Sequence, residues 1–302
     1  MSTLVRARKP WIALAMSLVL PGFGQLYNGA PNRAIWLFLG YCALMILGVA
    51  LVALYLPSGL MMAGLLAVLC LTLTLWVYGM FDAWRTARRQ PDYMPRAWQT
   101  SGLYVLVFVF CVFIVEPLFA SYIRDYQVES FRDPSASMEP TLMHGDFIFA
   151  DKRYNCPNCK GEVQRGDIVI FTSPNRRTVY YVKRIIGLPG EHVQIKGYEI
   201  LINGRSLKTS GTQTSDRRAI TEGDSHRQWH VVWSSQEPQL RDVDMTVPAG
   251  QVFVLGDNRS GSEDSRTFGT VPLSDVVGRV RQVWLSYADD VSRWARMGKV
   301  VE

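Results

Sequence analysis

The sequence is poor in the residues that most metal centres and histidine-dependent hydrolases need. It has four histidines, and His144, His192, His226 and His230 each stand in plain polar or strand-like surroundings. Its five cysteines include one close pair, Cys156 and Cys159, with no second pair downstream, which excludes a complete four-cysteine zinc site within the chain. There is no metal-ligating cluster, no internal repeat and no helix-turn-helix pattern. Gly187-Leu188-Pro189-Gly190 reads as a turn, because a dinucleotide fingerprint needs a third glycine and a following helix. No cofactor and no metal are expected.

Charge is scarce in the first part of the chain and abundant in the rest. Through about Ala120 the sequence is rich in Leu, Val, Ala and Met, and beyond it the chain is charged, punctuated by Gly and Pro, and strand-like. The fold expected is an N-terminal helical transmembrane region followed by an all-β domain. Three stretches have about 20 apolar residues, enough to span a bilayer: Ala34 to Leu56, Leu60 to Met80 and Gly102 to Ala120. Trp11 to Tyr27 begins apolar but is broken by Pro21-Gly22-Phe23-Gly24, and reads as an interfacial or re-entrant segment. The stretch Pro21 to Gly29 is similar to a motif of small two-helix membrane modules, a likeness that assigns no chemistry.

The formal net charge of +6 does not point to nucleic acid, because the basic residues gather at the ends of apolar segments. Arg6, Arg8, Lys9 and Arg33 flank the first apolar stretch, and Arg85, Arg88, Arg89 and Arg96 fill the stretch after the second strong span. Three crossings keep both basic regions cytoplasmic and export the soluble half. The expected organisation is a cytoplasmic or interfacial segment 1–33, three spans within 34–120 with a basic linker 81–101, and an exported β-rich domain 121–302. A cleavable signal peptide at the N-terminus is disfavoured, since no clean small-x-small site follows the basic head.

Cys42, Cys70 and Cys111 fall in the spans and read as small packing residues. Cys156 and Cys159, in Cys-Pro-Asn-Cys, are the disulfide candidate, which an oxidising exported compartment favours. An intermolecular metal site or a redox role stays open for that pair. From Asp146 onward, short apolar runs alternate with turn pairs such as Gly145-Asp146, Gly166-Asp167 and Asn203-Gly204, the pattern of an all-β domain. The polar region around 207–244, with Trp229, His230 and Trp233, reads as an insertion or cap on that β core.

Two stretches carry chemistry. Pro134-Ser135-Ala136-Ser137-Met138-Glu139-Pro140-Thr141-Leu142 follows shortly after the third span, and Tyr180-Tyr181-Val182-Lys183-Arg184-Ile185-Ile186 sets one lysine in an apolar run. A serine hydroxyl is a poor nucleophile until a base takes its proton. An apolar neighbourhood favours the neutral, basic form of a lysine amine. The pair points to a Ser-Lys arrangement in place of a Ser-His-Asp triad.

These stretches, together with Gly145-Asp146-Phe147-Ile148 and Gly256-Asp257-Asn258-Arg259-Ser260-Gly261-Ser262-Glu263-Asp264-Ser265-Arg266, occur in one order. In that order they resemble the boxes of type I signal peptidases, membrane-anchored Ser-Lys proteases. The likeness covers most of the chain after Phe131. It implies a catalytic domain of signal-peptidase type, with Ser137 as nucleophile and Lys183 as general base. It further implies Ser135 as an oxyanion donor, Ser262 orienting the lysine amine, and Asp257, Asp264 and Arg266 bracing the site, with Arg184 meeting Asp257. Shallow pockets selecting small substrate residues would be lined by Phe131, Asp133, Pro134, Met138, Leu142, Tyr181 and Val182. The implied partners are signal-peptide-bearing preproteins, the lipid bilayer and the secretion translocon, with no nucleic acid, at a bacterial inner membrane.

The N-terminal spans exceed the one or two anchors usual in the family. Asp133 is a second departure, standing where an aliphatic residue is usual, and a carboxylate there needs solvent or a partner such as Arg132 or Arg124. An altered preference at one subsite is the expectation. Two other readings stay open: a specialised Ser-Lys protease processing one conjugation or surface protein, and an inactive membrane adaptor of the same fold. Retention of Ser135, Ser137, Lys183 and Ser262 together weighs against the adaptor.

Overall fold

Proline and glycine decide how the chain begins. In the computed structural model, which describes residues 7–133, 135–155, 162–213, 217–234, 242–288, 290–299 and 301, Pro10 opens a helix Pro10–Val19 from its first turn. That helix stops at Leu20, and Gly22 then takes φ +90 to start a short helix Phe23–Tyr27. A side chain at Gly22 would meet the Ala34 carbonyl oxygen at 2.3 Å, so glycine is required there by both conformation and space. Ten helical residues extend about 15 Å, half of a bilayer core, which leaves Pro10–Val19 too short to cross alone.

Three further helices are long and apolar enough to span: Pro31–Tyr55, Gly59–Arg88 and Ser101–Tyr126. The second outruns the expected end at Met80, and so takes in the first part of the 81–101 linker. Its extra two turns are held by packing, since Ala83 and Ala87 are buried against Ala13 and Tyr27. Arg85 and Arg88 meet the negative end of its dipole. The third helix starts at Ser101, where the Thr100 hydroxyl accepts from the Leu103 N–H at 3.3 Å, and it runs on past Ala120.

The hairpin Pro10–Tyr27 is fastened to helix Gly59–Arg88 by side-chain amides. Gln25 Nε2 donates to the Gly79 carbonyl at 2.7 Å and to Asp82 at 3.1 Å, and Asn28 Nδ2 donates to the Ala83 carbonyl at 2.7 Å. Trp76 Nε1 donates back to the Ser17 carbonyl at 2.8 Å. The glycine-rich stretch after Pro21 thus has a structural account, because Gly24 lets Ala13, Ser17 and Ala83 close in on the backbone.

The chain divides into two compact units, Met1–Asp125 and Tyr126–Glu302. The second is built from antiparallel strands. Its main sheet runs in the order β1 (Val128–Arg132), β2 (Asp146–Asp151), β14 (Val276–Ala288), β3 (Ile168–Thr172), β4 (Tyr180–Gly187), β12 (Gln251–Leu255) and β13 (Val271–Pro272). β15 (Val291–Ser292) pairs with β14. A four-stranded sheet is ordered β11 (Val243–Thr246), β5 (His192–Lys196), β6 (Glu199–Ile202), β7 (Arg205–Ser206), and a three-stranded one β10 (Gln228–Ser234), β9 (Arg217–Gly223), β8 (Lys208–Gln213).

The region around 207–244 is more than a polar cap. Ile220, Trp229, Val231 and Trp233 of the three-stranded sheet share one core with Ile186, Phe253 and Leu255 of the main sheet. Burying an aromatic side chain of that size contributes roughly 2–3 kcal/mol, so these strands are integral to the unit's stability. His230, between the two tryptophans, points to solvent and bonds Thr221, as strand alternation requires.

Candidate functional site

Strand β1 ends at Arg132 and the chain turns back to β2 through Ser135, Ser137 and Gly145. The Asp133 N–H donates to the Asp146 carbonyl at 2.8 Å, and the Gly145 N–H donates to the Asp133 carbonyl at 3.0 Å, which closes the loop at its base. Within it, successive turns are held by the Glu139 N–H on the Ala136 carbonyl and the Leu142 N–H on the Met138 carbonyl. Met138 and Leu142 are fully buried with Ile148 and Ile170, and they fix the loop by filling the core beneath it.

Lys183 occupies the middle of β4, paired across to Val169 of β3. It is 4% exposed, and its Nζ lies 2.7 Å from Ser137 Oγ and 3.1 Å from the Val182 carbonyl oxygen. Ser135 Oγ is 3.0 Å from Ser137 Oγ. Burial pushes the Lys183 amine below its ordinary pKa, and the charges of Asp264, Asp133, Asp257 and Glu263 oppose that shift. A neutral amine at this distance can accept the Ser137 proton as the oxygen attacks a carbonyl. The Tyr181 ring centroid is 5.4 Å from the amine.

The loop after β12 closes the other side. Arg184 grips Asp257 with two hydrogen bonds, Nε on Oδ1 at 2.9 Å and Nη2 on Oδ2 at 2.8 Å, both residues being buried. Thr141 Oγ1 donates to the same carboxylate, which ties the serine loop to this pair. Asp264 caps the short helix Ser265–Phe268, and it accepts from the Gly256 N–H at 3.0 Å and from Arg266 Nε and Nη2. Arg266 also donates to the Arg259 carbonyl at 2.6 Å.

Ser262 departs from the expected arrangement. Its Oγ is buried without a hydrogen-bond partner among the described residues, so in the resting site it does not hold the lysine amine. Lys183 is oriented instead by Ser137 and the Val182 carbonyl. Gly256 is the reason Ser262 fits at all, since a Cβ there would stand 2.2 Å from Ser262 Oγ and 2.5 Å from the Ser137 carbonyl oxygen.

Asp133 also differs from expectation in its partner. It is 2% exposed, and its Oδ1 accepts from the Ser135 N–H at 3.0 Å and the Ser135 hydroxyl at 3.1 Å. Neither suggested arginine serves it: Arg132 lies over the Phe147 ring and Arg124 bonds its neighbour Asp125. The reason is local, because an Asp side chain reaches the N–H and hydroxyl two residues on without ordering a long flexible partner. Burial raises its carboxyl pKa, while the two Ser135 bonds and Lys183 act the other way.

The remaining site residues are divided. Phe131 and Val182 pack against the Met138 and Leu142 cluster, whereas Tyr181 packs on Phe171 and Phe268 and donates its hydroxyl to Glu263. Pro134, Cys156 and Cys159 lie outside the described residues. Two contributors escaped the sequence reading. Asn258 donates its N–H to the Ser137 carbonyl and its Nδ2 to the Ala136 carbonyl, each at 3.1 Å. Glu222, from β9, pairs bidentately with the fully buried Arg259. Asn258 stood inside a recognised box and gave a signal, while Glu222 gave none.

Residues 103–285 match the family described as signal peptidase, peptidase S26. Signal peptidase I of Pseudomonas aeruginosa is 31% identical over 208 residues, 59% of this chain and 73% of its own length. Signal peptidase I of Rickettsia typhi is 32% identical over 212 residues, 59% of this chain and 77% of its own. A crystal structure of a signal peptidase I from Enterococcus faecalis aligns at 32% identity over 39% of this chain and 96% of that chain, with a TM-score of 0.29. The family match takes in more than half of the 302 residues, and this chain, with its apolar N-terminal helices and β-rich domain, belongs to the signal peptidase, peptidase S26 family of serine endopeptidases.

Proposed function

We propose that this chain is a membrane-bound endopeptidase that removes N-terminal signal peptides from exported preproteins by a Ser-Lys dyad. The observation that carries the reading is Lys183 Nζ at 2.7 Å from Ser137 Oγ, with the amine almost sealed from water. In acylation, the Ser137 O–H bond breaks and its proton passes to Nζ. Oγ bonds the scissile carbonyl carbon, and the carbonyl electron pair becomes an oxyanion. Lys183 then returns the proton to the leaving amine, and water completes deacylation by the same route in reverse. The Ser137 N–H and the Ser135 hydroxyl are the proposed oxyanion donors, each typically worth about 3–4 kcal/mol in the transition state. Asp257 and Asp264, with Arg184 and Arg266, hold the two loops together and carry no proton in this scheme.

The proposed setting is an inner membrane crossed three times, with the basic stretches cytoplasmic and the β-rich unit exported. Small residues before the cut would be chosen by volume in pockets walled by Phe131, Pro134, Tyr181 and Val182, with Asp133 at their edge and Met138 and Leu142 behind. Preproteins are the substrates, and the translocon is the neighbour that delivers them. The test is incubation of the detergent-solubilised protein with a preprotein, beside Ser137→Ala and Lys183→Ala. The wild type should release the signal peptide and both variants should lose the activity by at least about 10³-fold. Wild-type cutting no faster than either variant would sink the dyad.

A further inference from the structure

Three buried carboxylates and one exposed one surround the Lys183 amine, and they are not equivalent. Asp257 is gripped by Arg184, Asp264 by Arg266, and Glu263 lies at the surface accepting from Tyr181. Asp146, next to Asp133 across the strand pair, is bonded by Arg296. Asp133 is the exception: among the described residues it has no arginine, its Oδ2 is buried without a hydrogen-bond partner, and its Oδ1 is held only by Ser135. From that oxygen an unbroken run of contacts leads to the amine, 3.1 Å to Ser135 Oγ, 3.0 Å to Ser137 Oγ and 2.7 Å to Lys183 Nζ.

We propose that Asp133 is the counter-charge of the Lys183 amine, acting along the Ser135 and Ser137 hydroxyls, and that it sets the pH at which the base becomes available. A carboxylate already paired with an arginine presents little net charge to its surroundings, so Asp257 and Asp264 influence the amine less than their proximity suggests. Asp133 presents its whole charge across two polarisable hydroxyls, the exposed one of Ser135 and the buried one of Ser137. It touches neither the scissile bond nor Nζ, and so acts as a positioning residue. Burial drives the amine toward its neutral form and an ionised Asp133 holds its proton on, so the two oppose each other. The departure from an aliphatic residue at Asp133 is therefore a setting of the base.

This inference rests on Ser137 and Lys183 being the reacting pair, and the two ideas fail separately. The experiment is the pH dependence of kcat/KM for the full chain in detergent acting on a preprotein, comparing wild type with Asp133→Asn. The asparagine keeps the shape and an acceptor oxygen for Ser135 and removes the charge. The acid limb should move to lower pH by about one unit, the usual effect of one close charge on its neighbour. Asp133→Leu, which lacks the acceptor, supplies the same readout independently: whatever its plateau, its acid limb should still move down. An acid limb that stays in place or moves up in Asp133→Asn overturns the proposal. If Ser137→Ala and Lys183→Ala are both inactive in the same preparation, such a result rejects the role of Asp133 alone. If either retains wild-type rates, the dyad itself is rejected.

Discussion

Lys183 stands under two demands that only its surroundings reconcile. A charged ammonium in this position has lost its water, and the folded state therefore binds a proton less readily than the unfolded chain does. The sign of the linkage follows. The folded pKa lies below the unfolded one, so the cost of burying the ammonium is fully present below the folded pKa and disappears as pH rises through the unfolded value. Replacing Lys183 with Met, of similar length and no charge, should raise the thermal midpoint at neutral pH by at least about 2 °C, the shift expected from ~1 kcal/mol in a domain of this size. The gain should shrink toward alkaline pH; scanning calorimetry across pH checks both points, and a midpoint that falls at neutral pH would contradict the assignment. Ser262 makes the complementary case. Among the described residues its hydroxyl has no partner to lose, so Ser262→Ala should leave the midpoint within about 2 °C. Turnover should nevertheless fall at least about tenfold if the hydroxyl engages the amine once substrate displaces the resting contacts. Unchanged turnover would remove Ser262 from the reaction.

At the scale of elements, the loop from Gly256 to Arg266 is the part on which the others depend. It is tethered at Asp257 to β4, at Asn258 to the serine loop, and at Arg259 to β9. The Glu222–Arg259 pair is buried on both sides, and removing one partner of such a pair leaves an uncompensated charge at a cost of about 3–5 kcal/mol. Glu222→Ala should therefore lower the unfolding free energy by that order, and proteolysis of the β-rich unit in urea would measure it. Gly256→Ala tests the same loop from inside. The new methyl would lie against Ser262 Oγ and the Ser137 carbonyl oxygen, so both must shift, and kcat should fall about 100-fold with the fold intact by circular dichroism. A rate within threefold of wild type would show that the loop yields more easily than its contacts suggest, threefold being roughly 0.6 kcal/mol.

On the scale of the whole molecule, charge at the helix ends gives the proposed topology. Met94 is exposed in the basic stretch after helix Gly59–Arg88, and Trp294 is exposed in the β-rich unit. In intact spheroplasts, a membrane-impermeant thiol reagent should modify Trp294→Cys and leave Met94→Cys untouched until the cells are broken. Labelling of both from outside would reject three crossings. What the sequence made legible follows the same division of scales. The lysine in an apolar run and the paired serines were readable because local pattern alone sets their character. The second long helix runs on past the apolar stretch that ends at Met80 because Ala83 and Ala87 continue it by packing on Ala13 and Tyr27, a contact that hydropathy does not register. The Glu222–Arg259 pair was invisible because sheet packing brings together two residues 37 positions apart. Asp133 was noticed as out of place, while its use of Ser135 in place of an arginine emerged only from geometry.

The amide bonds of Gln25 and Asn28 have a mechanical meaning beyond holding two helices together. Each reaches a main-chain carbonyl, at Gly79 and Ala83, positions one turn apart on the same helix. Sliding the hairpin by half a turn, about 2.7 Å, would pull both amides off the carbonyls they now reach, in surroundings where no water replaces them. The hairpin is thus a ratchet tooth seated in a single notch, and it fixes how deep the long helix sits relative to its neighbour.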